Sequence, residues 1–223
     1  MQLAGIIFDM DGTLLDTERL SSRAWEMTQE QLGIRLPDGF VTSIIGVATH
    51  RSQAMMAEVF RSEEKMLSFW SAFAKNYDTL VASGALRLKP GAREILQWAK
   101  AKGLRLALAT STRRVVADRK LEMTGLGEFF EHTVCGDEVA GSKPDPEIFL
   151  KAVEKLGMEK SELIIIEDSP NGLRAGAASG VRTLLVPDLA PIDPDVRSLA
   201  FAEFASLDEV RKWTEDEMSS VAQ

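Results

Sequence analysis

Cysteine is almost missing from this sequence: Cys135 is the only one in 223 residues. No intrachain disulfide can form, so the fold has to rest on a buried core, and a cytoplasmic location is the default. Cys135 itself follows Thr133 and Val134 in a short predicted strand and reads as packing rather than chemistry. Positive charge is in deficit as well. The 26 Lys and Arg face 34 Asp and Glu, a formal net charge of −8, which leaves no basic footprint for nucleic acid or an anionic membrane. Apolar runs fall short of the ~18 residues of a membrane span, and Asp9 arrives too early for a signal peptide. Histidine occurs only at His50 and His132, with no partner at metal-ligand spacing. What is left to expect is a small-molecule partner, with a monomer as the default state. A hydrophobic share of 45% over this length suffices for a substantial core plus a small inserted domain.

The most informative stretch is an apolar run, Leu3 to Phe8, that empties into Asp9-Met10-Asp11-Gly12-Thr13. Ile6, Ile7 and Phe8 are apolar without alternation, the pattern of a parallel strand covered on both faces. The two aspartates therefore stand at that strand's C-terminal end, where open α/β sheets bind ligands. Two positions apart on near-extended backbone, their side chains can aim to one side, and Gly12 relaxes the turn that follows. Such a peptide can deliver one carboxylate to attack a phosphorus and one to handle protons. A solvated acidic loop is the plainer alternative.

Three further clusters supply what that pair would need. Arg105 to Ala109 is a second mostly apolar run and ends in Thr110-Ser111-Thr112. These hydroxyls and backbone N–H groups could hold phosphate oxygens or simply cap the next helix. Ser142-Lys143-Pro144-Asp145-Pro146 fixes a lysine beside two prolines, unlike most lysines, which are solvated surface charges. Leu163 to Ile166 is another buried-strand run and ends in Glu167-Asp168-Ser169-Pro170-Asn171-Gly172. That second acidic pair offers oxygen ligands suited to Mg²⁺. If the strands are parallel neighbours, the four clusters meet on one rim of one sheet.

With those residues in place, the chain resembles the haloacid dehalogenase superfamily, in its phosphatase and β-phosphoglucomutase-like branch. Asp9-Met10-Asp11-Gly12-Thr13 matches the first motif, Thr110 the second, Lys143 the third and Glu167-Asp168 the fourth. The similarity runs from about Leu3 to about Val186. The resemblance implies an α/β fold, a Rossmann-like parallel sheet core flanked by helices over residues 1–16 and 87–223, with a small α-helical cap inserted at 17–86. It also implies Mg²⁺-dependent phosphoryl transfer through an aspartyl-phosphate. Asp9 is then the nucleophile, and Asp11 protonates the leaving group before deprotonating the acceptor. Thr110, Ser111 and Lys143 hold the phosphate, with Lys143 also pairing with Asp9. The metal falls to Asp9, Asp11 (through its carbonyl), Asp168 and Glu167, the last directly or through a water. Asn171 either orients ligands or is a turn residue.

What receives the phosphoryl group separates the alternatives. Water makes the protein a phosphatase acting on a small phosphorylated metabolite, with a sugar phosphate as the expected class. A sugar phosphate acceptor makes it a β-phosphoglucomutase-type mutase. Such mutases resemble this chain at Asp16-Thr17 and Arg23-Ala24-Trp25, but their cap-helix histidine is replaced by Ser21. Their Gly-Val-Ser-Arg stretch becomes Gly46-Val47-Ala48-Thr49, and Thr13 stands where they usually carry valine. These departures favour the phosphatase. A non-catalytic binding module should have lost one of Asp9, Asp11, Lys143 or Asp168, and all are present. A dehalogenase calls for neither the second aspartate nor the metal pair.

Between the motifs the sequence is mostly helical. Leu20, Ala24, Met27 and Leu32 recur at helical intervals before Gly33 and Pro37. Ser52 to Phe60 and Glu63 to about Val81 predict further cap helices, whose apolar stripes, like Trp25, read as bundle core. His50 with Arg51 is the candidate for a cap contact to substrate, whereas Lys75 and Asn76 read as a polar face. After Lys89-Pro90-Gly91, helices are predicted over Ala92–Lys102, Arg113–Thr124, Asp145–Leu156 and beyond Asp168. Gly172, Gly176 and Gly180 in the last of these permit close packing on the sheet. His132 is expected at a loop or helix-entry position, Val181 to Val186 in the last strand, and the tail from Thr214 is expected to fray. A cap joined near Asp16 and Leu88 is expected to hinge over the rim and keep water from the aspartyl-phosphate.

Overall fold

Short strands buried on both faces organise the larger part of the protein. The structure, a computed structural model, describes residues 3–44 and 49–220. Two compact units divide the chain: one holds the residues up to Leu15 and from Leu88 onward, the other Asp16–Arg87. In the first unit the strands are β1 (Gly5–Phe8), β2 (Arg105–Thr110), β3 (His132–Cys135), β4 (Leu163–Glu167), β5 (Arg182–Leu185) and β6 (Ala202–Glu203). They lie side by side in the order β3-β2-β1-β4-β5-β6, every neighbouring pair parallel. All residues of β1 and β4 are buried, as uninterrupted apolar runs in a doubly covered sheet require.

This order places the chemistry. The chain runs outward from β1 on both sides, to β2 and β3 in one direction and to β4, β5 and β6 in the other. β1 is therefore the switch point, and a ligand belongs beyond its carboxyl end. Phe8 is opposite Leu108 on one side and Ile166 on the other. Asp9, Ala109 and Glu167 consequently stand at one level along the sheet.

The second unit is helical: α1 (Thr17–Leu32), α2 (Phe40–Ser43), α3 (Thr49–Phe60) and α4 (Glu63–Ala82). Gly33 ends α1 in the left-handed conformation, which a residue without Cβ adopts freely. The Ser62 hydroxyl accepts from the Lys65 N–H to start α4, with Glu63 and Glu64 at its positive end. Trp25 lies in this unit's core, stacked on Phe69 and Phe73 with centroids 5.6 and 4.3 Å apart. Asn76 donates to the Thr28 hydroxyl and to Gln31, both at 3.0 Å, so its side chain serves the unit's own packing; Lys75 is exposed. Residues 45–48 lie outside the described residues, which takes in Gly46-Val47-Ala48. His50 and Arg51 fall in α3, where their side chains are also outside what is described.

In the first unit follow α5 (Ala92–Ala101), α6 (Arg114–Thr124), α7 (Glu147–Leu156), α8 (Pro170–Ser179), α9 (Pro194–Arg197) and α10 (Leu207–Ser220). α7 buries Ile148, Phe149, Ala152 and Leu156 in a cluster with Ile7, Ala107, Ala109, Val134 and Ile165 of the sheet. α8 lies so close to β5 that a Cβ on Gly176 would stand 2.3 Å from the Thr183 hydroxyl. Among the described residues no helix is long and apolar enough to cross a membrane.

Three expectations need correction. His132 opens strand β3 rather than sitting at a loop or helix-entry position. The sheet does not end near Val186, because the two-residue β6 pairs with β5. The acidic tail does not fray from Thr214, since α10 continues to Ser220. Leu207, Val210 and Thr214 form a buried stripe there, and Trp213 packs on Phe201 and Phe204. The stripe is narrow and its surroundings acidic, so composition hides it. If that stripe holds the helix down, Leu207→Ala lowers the unfolding free energy by about 2–5 kcal/mol, measured by urea denaturation; a frayed tail would show no change.

Candidate active site

Beyond β1 the chain makes a tight loop. The N–H groups of Leu14 and Leu15 return to the Met10 carbonyl at 3.0 and 2.9 Å, and Met10, Leu14 and Leu15 are fully buried beneath it. The loop is thereby fixed by its apolar side chains while Asp9 and Asp11 flank Met10 at its start. Gly12 has φ +89°, and a Cβ there would lie 2.2 Å from Asp168 Oδ2. Backbone at position 12 thus forms the wall against which the Asp168 carboxylate rests. Asp168 Oδ1 accepts from the Thr13 hydroxyl at 2.8 Å.

One lysine ties three of the strand ends together. Lys143, buried in the loop before α7, donates to Asp9 Oδ1 at 2.5 Å, to Glu167 Oε1 at 2.8 Å and to the Ala109 carbonyl at 3.2 Å. Those three bonds use all three protons of an ammonium. The Phe149 ring lies 4.7 Å below it. Glu167 is engaged on both oxygens, because Oε2 accepts the N–H of Asp168 and of Ser169 and the Ser169 hydroxyl. Gly172 at the start of α8 makes room, since a Cβ there would come within 1.7 Å of Glu167 Oε1.

The electrostatics follow from one cation serving two buried carboxylates. Burial raises the Asp9 carboxyl from 3.8 to about 8; Lys143 opposes the rise, while Glu167 and Asp11 add to it. Burial also works against the charge on Lys143, but Asp9 and Glu167 outweigh it and hold the ammonium above the ordinary lysine value. Lys143 is therefore charged, and Asp9 is short of positive charge. The Cys135 thiol is pushed up to about 11, first by burial, which suits a packing residue.

Asp11 belongs to a separate cluster. Its Oδ2 accepts from the Thr112 hydroxyl at 2.6 Å and, at 3.4 Å, from that of Thr110. Its Oδ1 accepts from Lys120 at 2.6 Å. Thr110 is itself buried and accepts the Thr112 N–H at 3.1 Å. Ser111 is exposed on the same loop, and Asn171 stands at the second position of α8.

Lys120 and the Thr13–Asp168 contact were not assigned from sequence, and Thr112 was expected as a phosphate or capping hydroxyl rather than a partner of Asp11. A lysine inside a helix reads as a surface charge, yet Lys120 shares the buried face of α6 with Ala117 and Leu121. That misplaced charge in an apolar stripe was the available signal.

Asp9, Asp168 and Glu167, together with the Asp11 carbonyl, are the groups expected to hold the metal. Among the described residues no three acidic, histidine or cysteine side chains are disposed to hold a metal. Lys120 draws the Asp11 side chain aside, and Lys143 occupies Glu167. The charges still fit a divalent cation: four carboxylates, at Asp9, Asp11, Glu167 and Asp168, face two ammonium groups, at Lys120 and Lys143. With all ionised, the site is short by two positive charges. A carboxylate with an open oxygen beside a proton-handling partner suits nucleophilic substitution in which an oxygen leaving group departs.

The chain matches the family of haloacid dehalogenase-like hydrolases over residues 6–186. It is 34% identical over 196 residues to protein CbbY of Rhodobacter capsulatus, covering 84% of this chain and 86% of that one. It is 32% identical over 182 residues to a phosphorylated carbohydrates phosphatase of Thermotoga maritima, covering 82% and 84%. The solved structure of a candidate β-phosphoglucomutase from Thermotoga maritima superposes with a TM-score of 0.80 at 29% identity, over 96% of this chain and 99% of that one. Phosphatases of this superfamily generally use a divalent metal. The chain belongs to the haloacid dehalogenase-like hydrolases, in the branch that contains their phosphatases.

Proposed function

We propose that this protein is a Mg²⁺-dependent phosphatase that hydrolyses a small phosphorylated metabolite, a sugar phosphate, through an aspartyl-phosphate on Asp9. The observation that supports it most is the state of Asp9. Its carboxylate stands beyond the central strand with Oδ1 tied to Lys143, and Oδ2 makes no hydrogen bond among the described residues. The sugar-phosphate class draws on the phosphorylated carbohydrates phosphatase among the relatives. A cytoplasmic, monomeric protein is part of the same reading.

Asp9 Oδ2 attacks phosphorus, and the bond from phosphorus to the sugar oxygen breaks. Asp11, protonated at the start of the cycle, gives its proton to that oxygen, so the sugar leaves as the alcohol and Asp11 is left as the carboxylate. Water then attacks the aspartyl-phosphate while Asp11 takes its proton, and phosphate and free Asp9 result. Thr110 and Ser111, with N–H groups of their loop, hold the phosphoryl oxygens together with Lys143. Glu167 fixes Lys143 rather than meeting a metal itself. Asp9, Asp168 and the Asp11 carbonyl are the groups that would hold Mg²⁺, which keeps several waters and needs few carboxylates. When bound, the cation supplies positive charge to the phosphoryl oxygens.

A sugar phosphate in place of water as acceptor gives the mutase, the second reading, which the β-phosphoglucomutase-type structural relative favours. ³¹P NMR on a panel of hexose and pentose phosphates with Mg²⁺ and a trace of bisphosphate separates them. The expected outcome is accumulating inorganic phosphate, lost by about 10³-fold or more in Asp9→Asn. Conversion of β-glucose 1-phosphate to glucose 6-phosphate with little free phosphate would establish the mutase instead.

A second prediction concerns the metal-free chain. Asp9 ionises near its ordinary 3.8 when unfolded but at about 8 when folded. The folded state binds the extra proton between those values, so this group's contribution to stability is lost as pH rises through that window. Asp9→Asn keeps an acceptor for Lys143 and cannot ionise. Its Tm in EDTA at pH 8 should exceed that of the unsubstituted chain, with about 2–4 °C for each kcal/mol recovered. Mg²⁺ should raise the Tm of the unsubstituted chain, and do so less in Asp168→Asn.

A further inference from the structure

We infer that Lys120 is a positioning residue for proton transfer, holding the Asp11 carboxylate beside the phosphate-binding hydroxyl of Thr110. This rests on the reading of Asp11 as the acid–base group.

Lys120 lies on the second turn of α6, on the face where Ala117 and Leu121 are buried. Lysine is seldom buried unless it is paired, and its partner here is Asp11 Oδ1 at 2.6 Å. The other Asp11 oxygen is met by the hydroxyls of Thr112 and Thr110 at 2.6 and 3.4 Å. Those three donors belong to one continuous segment, the end of β2, the loop after it and the first two turns of α6. A single stretch of chain thus sets where the Asp11 carboxylate stands relative to Thr110. The two buried lysines divide the work: Lys143 engages Asp9 and Glu167, and Lys120 engages Asp11.

Stability alone is a weak reason for this arrangement. Replacing a buried ion pair by apolar groups of similar volume is often neutral or stabilising. Proton transfer, by contrast, requires the acid–base group within about 0.5 Å of its working position. The need for that proton depends on the leaving group. A sugar alkoxide must be protonated as it departs, whereas acetate departs from acetyl phosphate without a proton. Loosening Asp11 should therefore slow the first reaction far more than the second. The comparison belongs on kcat/KM, which covers the steps through formation of the aspartyl-phosphate and omits the common hydrolysis of that intermediate.

The test uses the full chain with Mg²⁺, as Lys120→Met, Lys120→Arg and Thr112→Val, each checked for folding by circular dichroism. The substrates are acetyl phosphate and the hexose or pentose monophosphate hydrolysed fastest by the unsubstituted protein. Lys120→Met should lower kcat/KM on the sugar phosphate by about 10²-fold and on acetyl phosphate by at least about tenfold less. Lys120→Arg should restore part of the selective loss. Thr112→Val, which removes the other short hydrogen bond to Asp11, should show the same selectivity at smaller size, so a poorly folding Lys120→Met does not end the test. Equal losses on both substrates, or none on either, would overturn the inference while leaving the phosphatase reading intact. An unsubstituted protein inactive on every phosphate would overturn that reading, and this inference with it; activity on acetyl phosphate alone would overturn the inference and the sugar-phosphate reading together.

Discussion

The rest of the site depends on one ammonium group held between two buried carboxylates. Lys143 bonds to Asp9 and Glu167 and also to the Ala109 carbonyl, so it joins the ends of β1, β2 and β4. Such an arrangement is better tolerated in an apolar setting when each partner is hydrogen-bonded further. Glu167 meets that condition with three donors from the turn that follows it. Asp9 has no second side-chain donor among the described residues, and burial raises its pKa against the pull of Lys143. Of the two carboxylates on Lys143, Asp9 is the one left less neutralised.

Around that centre, the fold separates the two carboxylates of one acidic peptide. Asp9 and Asp11 are two residues apart, yet their side chains join different networks. One is anchored to the loop before α7 and the end of β4, the other to the end of β2 and α6. The intervening backbone is pinned by buried Met10 and by the turn at Gly12. Neither carboxylate can move into the other's place without disturbing a separate element of the sheet.

Much of this was legible in the sequence, for a physical reason. Parallel strands covered on both faces carry uninterrupted apolar runs, and polar residues at their ends stand out against them. Ile6 to Phe8 and Leu163 to Ile166 show that pattern, and Asp9, Thr110, Lys143 and Glu167 stand on one rim in the structure. What was not legible concerns direction and context. Spacing cannot tell that the Glu167 carboxylate turns back to its own N–H groups, or that the Asp11 side chain turns towards α6. Lys120 was passed over because a helical lysine normally points to water. The strand β6 offers only two residues to periodicity, and α10 buries a stripe too thin to offset its acidic surface.

The partners of the first aspartates come from far along the chain: 109 residues separate Asp11 from Lys120, 134 separate Asp9 from Lys143, and 155 separate Thr13 from Asp168. During synthesis Asp9 and Asp11 emerge first and must wait for most of the polypeptide before they acquire those contacts. Contacts so distant close late, because the entropy of the intervening loop has to be overcome first. A partly made or partly folded chain therefore lacks the ammonium groups that organise its acidic residues. An assembled rim is, in effect, a signal that β1, β2 and β4 have come together.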